Sequence, residues 1–124
     1  MASNDLQLAH YYSTLDDDGI ANAVALLHED VRYAIVLPNG VVRGSHRKDM
    51  QAYLESRPAV QRRHHLLRTA RDGDTEFVYG TVTDDGNVTG RFAAVARVDG
   101  DGMIDAYQVT FDLELVVVPS GEGA

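Results

Sequence analysis

The chain has 124 residues, with 19 Asp and Glu against 11 Lys and Arg, and a formal net charge of −8. This length supports one domain with its own hydrophobic core, and the acidic balance argues against binding to nucleic acid or to an anionic membrane. The absence of cysteine excludes disulfides and thiolate metal sites. No leader pattern and no bilayer-length apolar stretch occurs, so the sequence predicts a cytoplasmic protein without membrane contact.

The first quarter of the chain predicts two amphipathic helices, because apolar residues recur there at helical spacing. The first set is Leu8, Tyr11, Tyr12 and Leu15, and the second is Ile20, Ala23, Val24 and Leu27. The stretch Asp16-Asp17-Asp18-Gly19 separates the two helices. Its carboxylates are suited to capping the second helix.

From Val31 the pattern changes to the alternation typical of a strand, which ends at Pro38-Asn39-Gly40. A short hairpin or loop follows. Ser45 is the expected N-cap of a third helix, and Pro58 sets the latest residue at which that helix can end.

The remaining chain predicts four strands in an antiparallel meander. Strands at 62–70 and 75–83 flank a turn, and a second turn at 84–87 leads into a hairpin between 90 and 118. The last run should bury alternate residues: Met103, Tyr107, Val109, Phe111, Leu113, Leu115 and Val117. Helices followed by such strands indicate an α+β domain in which a curved sheet wraps the helices. This domain should span 1–118, with 119–124 as a flexible tail.

This order of elements, together with several short motifs, resembles the SnoaL-like or nuclear transport factor 2-like superfamily. The motifs are Tyr11-Tyr12 with Leu15-Asp16, Leu27-His28-Glu29-Asp30-Val31, Gly44, Asp101-Gly102-Met103-Ile104 and Phe111-Asp112. The superfamily includes polyketide cyclases, ketosteroid isomerases, limonene epoxide hydrolases and scytalone dehydratases. The resemblance implies a cone-shaped α+β barrel with a mostly apolar pocket, which dimerises through the outer face of its sheet. Because this fold hosts enzymes, binders and docking modules, its pocket residues must decide the function.

The match to ketosteroid isomerases is incomplete. Tyr11 matches the helix tyrosine that donates a hydrogen bond to their oxyanion. Their general base, however, matches the apolar stretch from Ile35 to Leu37, and their second acid matches Ala94. The resemblance therefore argues against ketosteroid isomerase chemistry.

The match to limonene epoxide hydrolases is also incomplete. Tyr33 matches a tyrosine that helps to hold their catalytic water. Their Asp-Arg-Asp relay, by the same matching, falls on Thr81, Tyr79 and Val109, none of which is a carboxylate. Epoxide hydrolysis by that route is therefore not expected.

The segment Arg63-His64-His65-Leu66-Leu67 resembles the strand histidine of scytalone dehydratases and of a broad SnoaL-like subgroup. Neighbouring residues on a strand point to opposite faces, so only one histidine can face the pocket. We favour His64. A histidine beside a tyrosine can pass a proton in either direction near neutral pH, whereas the structural alternative is a sheet histidine held by the backbone or at a dimer interface.

The candidate catalytic residues are His64, His65, Tyr11, Tyr33 and Asp105, the last being the carboxylate on the apolar side of the final strand. The candidate substrate-binding residues are Ile35, Leu37, Tyr53, Leu66, Tyr79, Thr81, Phe92, Ala94, Tyr107, Val109 and Phe111. His10, His28 and His46 lack ligand spacing, and no cofactor motif occurs. Neither a metal nor a cofactor is therefore expected.

The sequence thus favours a homodimeric SnoaL-like protein that binds a small, hydrophobic, oxygenated organic molecule. Such a pocket is compatible with cofactor-independent acid/base catalysis of isomerisation, cyclisation, dehydration or hydrolysis. Two alternatives remain open because the carboxylates of the well-known enzymes are missing. One is a non-catalytic ligand-binding module, and the other is a protein-docking module that uses the outer face of the sheet.

Overall fold

The computed structural model describes residues 6–58 and 60–119, so most of the predicted tail at 119–124 lies outside the described residues. Within them the helices are α1 (Gln7–Asp17), α2 (Ile20–Val24) and α3 (Arg47–Glu55). The strands are β1 (Leu27–Leu37), β2 (Gly40–Gly44), β3 (Arg62–Asp72), β4 (Thr75–Asp84), β5 (Asn87–Val98) and β6 (Ile104–Asp112). None of these helices is both long and apolar enough to cross a bilayer.

The six strands form one sheet in the order β2-β1-β6-β5-β4-β3. The edges, β2 and β3, do not meet, so the sheet is not closed. The predicted α+β class is confirmed, and the pairing is antiparallel except where β1 lies parallel to β6, with Tyr33 opposite Tyr107. This parallel pair joins the β1–β2 hairpin to the meander and places the apolar strand β1 inside the sheet.

One face of the sheet, called here the inner face, packs on the helices. On β5, Phe92 and Ala94 are buried while Ala93 and Val95 are exposed, which is the alternation of a sheet with one covered face. Helix α1 contacts β3 and β4, and helix α3 contacts β1 and β2. The hydrophobic core therefore lies between the helices and this inner face.

The N-terminus of α1 is held by a carboxylate from the sheet. Leu6 at the N-cap position offers no side-chain hydrogen bond. Instead, the buried Glu76 of β4 accepts the backbone N–H of Gln7 at 3.1 Å and that of Leu8 at 2.8 Å. A carboxylate satisfies the free N–H groups and the partial positive charge of a helix N-terminus, so Glu76 fixes α1 against the sheet.

A bulge in β6 moves one candidate residue to the other face. Arg97 pairs with Ala106 and Val98 pairs with Ile104, so Asp105 is an extra residue in this ladder. One extra residue shifts the alternation of faces by one position. The prediction that Asp105 faces the pocket is wrong, because its carboxylate pairs with Arg97 on the outer face at 2.8 Å.

Strand β6 is also shorter than the predicted run, since it ends at Asp112. The Asp112 carboxylate accepts the backbone N–H groups of Glu114 and Leu115, which removes them from any ladder. The half-buried Met103 precedes the strand, and the fully buried position is Ile104. Tyr107 and Val109 are buried as predicted and Phe111 is half-buried. The prediction of burial is wrong for Leu113, Leu115 and Val117, which are exposed by 57%, 64% and 63%.

Two helix boundaries differ from the prediction. Helix α2 ends at Val24, and Leu27 is the first residue of β1, opposite Ile104 of β6. Helix α3 is capped by His46 rather than Ser45, because Nδ1 of His46 accepts the backbone N–H of Lys48 at 3.0 Å. A side-chain acceptor two residues before the donor performs the usual N-cap role.

Candidate functional site

A cavity of about 270 Å³ lies between the helices and the inner face of the sheet. Buried tyrosines, Tyr11, Tyr12 and Tyr107, form its base, and the exposed Pro38 and Leu113 lie at its mouth. The wall between them is mostly apolar and includes Ile35, Leu37, Met50, Leu54, Val82, Val109 and Phe111. An apolar wall with a few polar groups is the usual construction of a small-molecule site.

The C-terminal part of α1 places Asp16 against His64 of β3. Oδ1 of Asp16 lies 2.8 Å from Nδ1 of His64, and Oδ2 accepts the His64 backbone N–H at 2.6 Å. Both side chains are buried, with 5% and 3% of their surface exposed. An ionised carboxylate can only accept hydrogen bonds, so Nδ1 carries the proton in this contact. In the neutral ring Nε2 is then the proton acceptor.

Aromatic rings fix the orientation of His64. Its ring stacks on Tyr12, with centroids 4.6 Å apart and planes at 26°, and it meets Phe92 edge-on at 5.5 Å. His64 lines the cavity, and among the described residues Nε2 has no hydrogen-bond partner. The free nitrogen of a well-ordered imidazole is therefore available to a bound molecule.

The tyrosines at the base are hydrogen-bond donors. The hydroxyl oxygens of Tyr12 and Tyr107 lie 2.5 Å apart. Burial raises the pKa of Tyr11, Tyr12 and Tyr107 above the ordinary tyrosine value, so all three hydroxyls stay protonated. The Tyr12–Tyr107 bond uses one of their two protons. The other, together with the proton of Tyr11, is free to meet an oxygen of a ligand.

Two arginines and one carboxylate supply formal charge to the cavity wall. Arg62 binds Asp84 through two hydrogen bonds of 2.7 and 3.0 Å, and this pairing lowers the pKa of Asp84. Asp84 also accepts the hydroxyl of Thr89 at 3.0 Å. Arg57, which follows α3, lines the same cavity without joining any ion pair among the described residues.

The structure divides the predicted substrate-binding residues into three groups. Those that line the cavity are Ile35, Leu37, Tyr53, Tyr107, Val109 and Phe111. Leu66, Phe92 and Ala94 face inward but lie behind the lining. For Tyr79 and Thr81 the prediction is wrong, because they alternate with the inward-facing Val82 and lie on the outer face of β4.

The remaining catalytic candidates lie outside the cavity lining. His65 points to the outer face, where its Nε2 lies 2.9 Å from the hydroxyl of Thr83. Tyr33 is buried on the inner face, but its ring packs so closely over Gly44 that a Cβ there would lie 2.5 Å from it. His65 is thus excluded from the site, and Tyr33 has a packing role.

Five residues of the site were not predicted from the sequence: Asp16, Tyr12, Arg57, Arg62 and Asp84. A signal for Asp16 was present, because it follows Tyr12 by four residues and so shares a helix face with it. Its position in a run of three aspartates before Gly19 instead suggested a role in capping. Residues 6–58 and 60–119 contain no group of three His, Asp or Glu side chains that could hold a metal ion.

Solved structures share this architecture. A nuclear transport factor 2-like protein from Burkholderia pseudomallei has a TM-score of 0.71 and 21% identity, over 91% of this chain and 93% of that one. A SnoaL-like family protein from Agrobacterium tumefaciens has a TM-score of 0.71 and 17% identity, over 90% and 99%. ActVI-ORFA from Streptomyces coelicolor has a TM-score of 0.66 and 22% identity, over 86% and 92%. Comparison with protein-family models and with curated proteins gave no match. The chain therefore has the nuclear transport factor 2-like fold of SnoaL-like proteins, as its sequence predicted.

Proposed function

We propose that the protein binds a small, largely apolar, oxygenated organic molecule in the cavity and exchanges a proton with it through His64, without a cofactor. The observation that carries this proposal is the buried Asp16–His64 pair, which leaves Nε2 free at a cavity surface. The pair takes the place of the catalytic carboxylates that ketosteroid isomerases and limonene epoxide hydrolases carry on their sheets. Here the carboxylate comes from α1 instead.

The arrangement suits the removal of a proton from carbon beside a carbonyl group. Nε2 of His64 accepts the proton, and Asp16 stabilises the imidazolium that forms. The free hydroxyl protons of Tyr11 and of the Tyr12–Tyr107 pair donate to the oxygen on which negative charge develops. Return of the proton to a different carbon completes an isomerisation. In a cyclisation the enolate carbon attacks a second carbonyl carbon of the same molecule and the proton goes to the oxygen of that carbonyl; in a dehydration the proton goes to a β-hydroxyl group, whose C–O bond breaks to release water.

The test is the exchange of α-protons of 2-tetralone, a bicyclic ketone, in deuterated buffer, followed by NMR. We expect the wild type to accelerate the exchange and His64→Gln to reduce the acceleration by at least about 10²-fold, the usual contribution of a general base. Asp16→Asn should also lower the rate, since it removes the carboxylate charge that orients the ring and stabilises the imidazolium. His65→Gln is the matched control and should keep the wild-type rate, because His65 lies on the outer face.

The outcomes separate the candidate functions. Equal exchange rates in the wild type and in His64→Gln would contradict the role of His64. If the wild type binds the ketone without accelerating exchange, the non-catalytic ligand-binding alternative is the correct one.

We also propose that a second copy of the chain covers the outer face of the sheet. Phe77 and Val95, which are register partners on β4 and β5, are 40% and 42% exposed there. They border a shallow hollow together with Tyr79, Ala93, Gln108 and Thr110. Exposed apolar side chains grouped in this way are typical of a protein interface.

A further inference from the structure

Arg57 differs from the other charged groups of the cavity in having no partner among the described residues. Its Nε is buried and has no hydrogen-bond acceptor among the described residues. The carboxylates that line the cavity and its surroundings are already engaged, Asp84 by Arg62 and Asp16 by His64. The cavity wall thus contains one positive charge that the described protein does not neutralise.

This arrangement is unfavourable for the protein alone. Burial and the neighbouring Arg62 guanidinium both lower the pKa of Arg57, yet an arginine stays protonated in a protein. A half-buried cation without a counter-charge costs folding free energy. Residues that carry such a cost are typical of binding sites, where a ligand removes it.

The position of Arg57 indicates which part of a ligand it would meet. Its positive charge lowers the pKa of Tyr11 and of Tyr107, against the larger effect of burial, so its field reaches the base of the cavity. Apart from Tyr107, the lining side chains from β1 and β6 are apolar. A molecule that fits has an apolar body and one anionic group, and the planar guanidinium is best matched by the two oxygens of a carboxylate.

We propose that Arg57 is a specificity-determining residue that binds the carboxylate of an amphipathic organic acid, whose apolar body lies against the cavity wall. This inference rests on the proposed function, because the acid is the molecule with which His64 exchanges a proton. The protein has a net charge of −8 and therefore repels anions as a whole. A local positive charge such as that of Arg57 is needed to bind the carboxylate.

The experiment compares 2-naphthoate with 2-naphthamide, which have the same shape and differ in charge, by isothermal titration calorimetry. We expect the wild type to bind the acid at least about tenfold more tightly than the amide, as a charge-assisted pair provides. Arg57→Met should abolish this preference by weakening only the binding of the acid, while the affinity for the amide stays unchanged within about twofold. The acid affinity of the wild type should also fall with added salt.

Arg63→Gln is the matched control. Arg63 pairs with Asp17 at the surface and does not line the cavity, so this variant should keep the full preference for the acid. Thermal unfolding provides a second readout. Because Arg57 pairs with no residue in 6–58 and 60–119, Arg57→Met should melt at the same temperature as the wild type or higher, whereas loss of a structural arginine would lower the melting temperature.

Equal affinity of the wild type for acid and amide would overturn the assignment of Arg57 while leaving the cavity a binding site for neutral molecules. A preference that persists in Arg57→Met and disappears in His64→Gln would overturn it too, because His64 would then hold the anion. Failure of both probes to bind would overturn this inference and the proposed function together.

Discussion

At the scale of single residues, the cavity separates proton donors from the proton acceptor. The tyrosines at its base cannot act as bases near neutral pH, because burial raises the pKa of Tyr11, Tyr12 and Tyr107. His64 is different, because Asp16 occupies Nδ1 and leaves Nε2 to accept a proton. Each group is therefore limited to one role by its surroundings.

The raised tyrosine pKa values predict a loss of stability in alkali. The unfolded chain ionises its tyrosines near pH 10, while the folded protein keeps these three protonated above that pH. The folded state then binds more protons, so the free energy of unfolding is unaffected below about pH 9 and falls as the pH rises above about 10. The measurement is the ultraviolet absorbance of tyrosinate in native and denatured protein, together with urea unfolding at each pH.

We expect Tyr11, Tyr12 and Tyr107 to resist ionisation until the native protein unfolds, and burial also raises the pKa of Tyr33 above that of an exposed tyrosine. Tyr12→Phe should have one tyrosine fewer that resists ionisation, and its free energy of unfolding should fall less at alkaline pH. If all six tyrosines titrated near pH 10 in a protein that stayed folded, the hydroxyls could not be the buried donors described here.

Only the part of the site that depends on neighbouring residues could be predicted from the sequence. Strand alternation could show that only one of His64 and His65 faces the cavity, because it depends only on neighbouring residues. The Asp16–His64 contact spans 48 residues and forms only when α1 packs on β3. Local patterns contain no information on such a contact. The same limit applies to Arg57, whose importance comes from having no partner in the part of the chain that the structure describes.

At the scale of elements, α1 matters most, because it supplies Tyr11 and Tyr12 to the cavity wall and Asp16 to the contact with His64. Its sequence offers no N-cap side chain, and Glu76 of β4 takes that role from a distance of 68 residues. The sheet thereby determines the position of the helix. Positions along α1, including that of Asp16 near its other end, depend on this attachment.

Glu76→Ala should therefore reduce the free energy of unfolding by about 1–3 kcal/mol, because it leaves buried backbone N–H groups without acceptors. Glu76→Gln should lose less, since its amide oxygen can still accept one of them. The measurement is urea unfolding. Glu55→Ala is the control, because Glu55 is exposed and bonds only Gln51 on its own helix; its change should stay within about 0.5 kcal/mol. Equal losses for both alanine variants would rule out the anchoring role of Glu76.

Element boundaries were predicted well where turns mark them and poorly where a tertiary contact decides. The turns at 38–40, 71–74 and 84–87 lie where the glycines and aspartates indicated. The apolar alternation of β6 continues to Val117, yet the strand stops where the Asp112 side chain takes over the backbone N–H groups. The bulge at Asp105 could not be predicted from the sequence either, since the alternation of apolar residues does not reveal an extra residue in the strand.

At the scale of the whole molecule, the sheet separates two surfaces. The inner face closes the cavity, while the outer face carries the exposed Phe77 and Val95. The segment after β6 reaches this outer face as well, because the backbone N–H of Val117 donates to the hydroxyl of Tyr79 at 3.0 Å. Its exposed apolar side chains enlarge the area available to a second copy.

Val95→Asp should therefore convert a dimer into a monomer, because it places two like charges in an apolar interface between chains that are already acidic. The measurement is sedimentation equilibrium over a range of protein concentrations. Val60→Asp is the matched control: Val60 is 40% exposed beside the helices, where it borders Leu15 and Ile20 and not the hollow, and its variant should stay dimeric. A monomeric wild type would contradict the interface.

Because the cavity lies on the opposite side of the sheet and is lined by one chain, the Val95→Asp monomer should still prefer 2-naphthoate to 2-naphthamide.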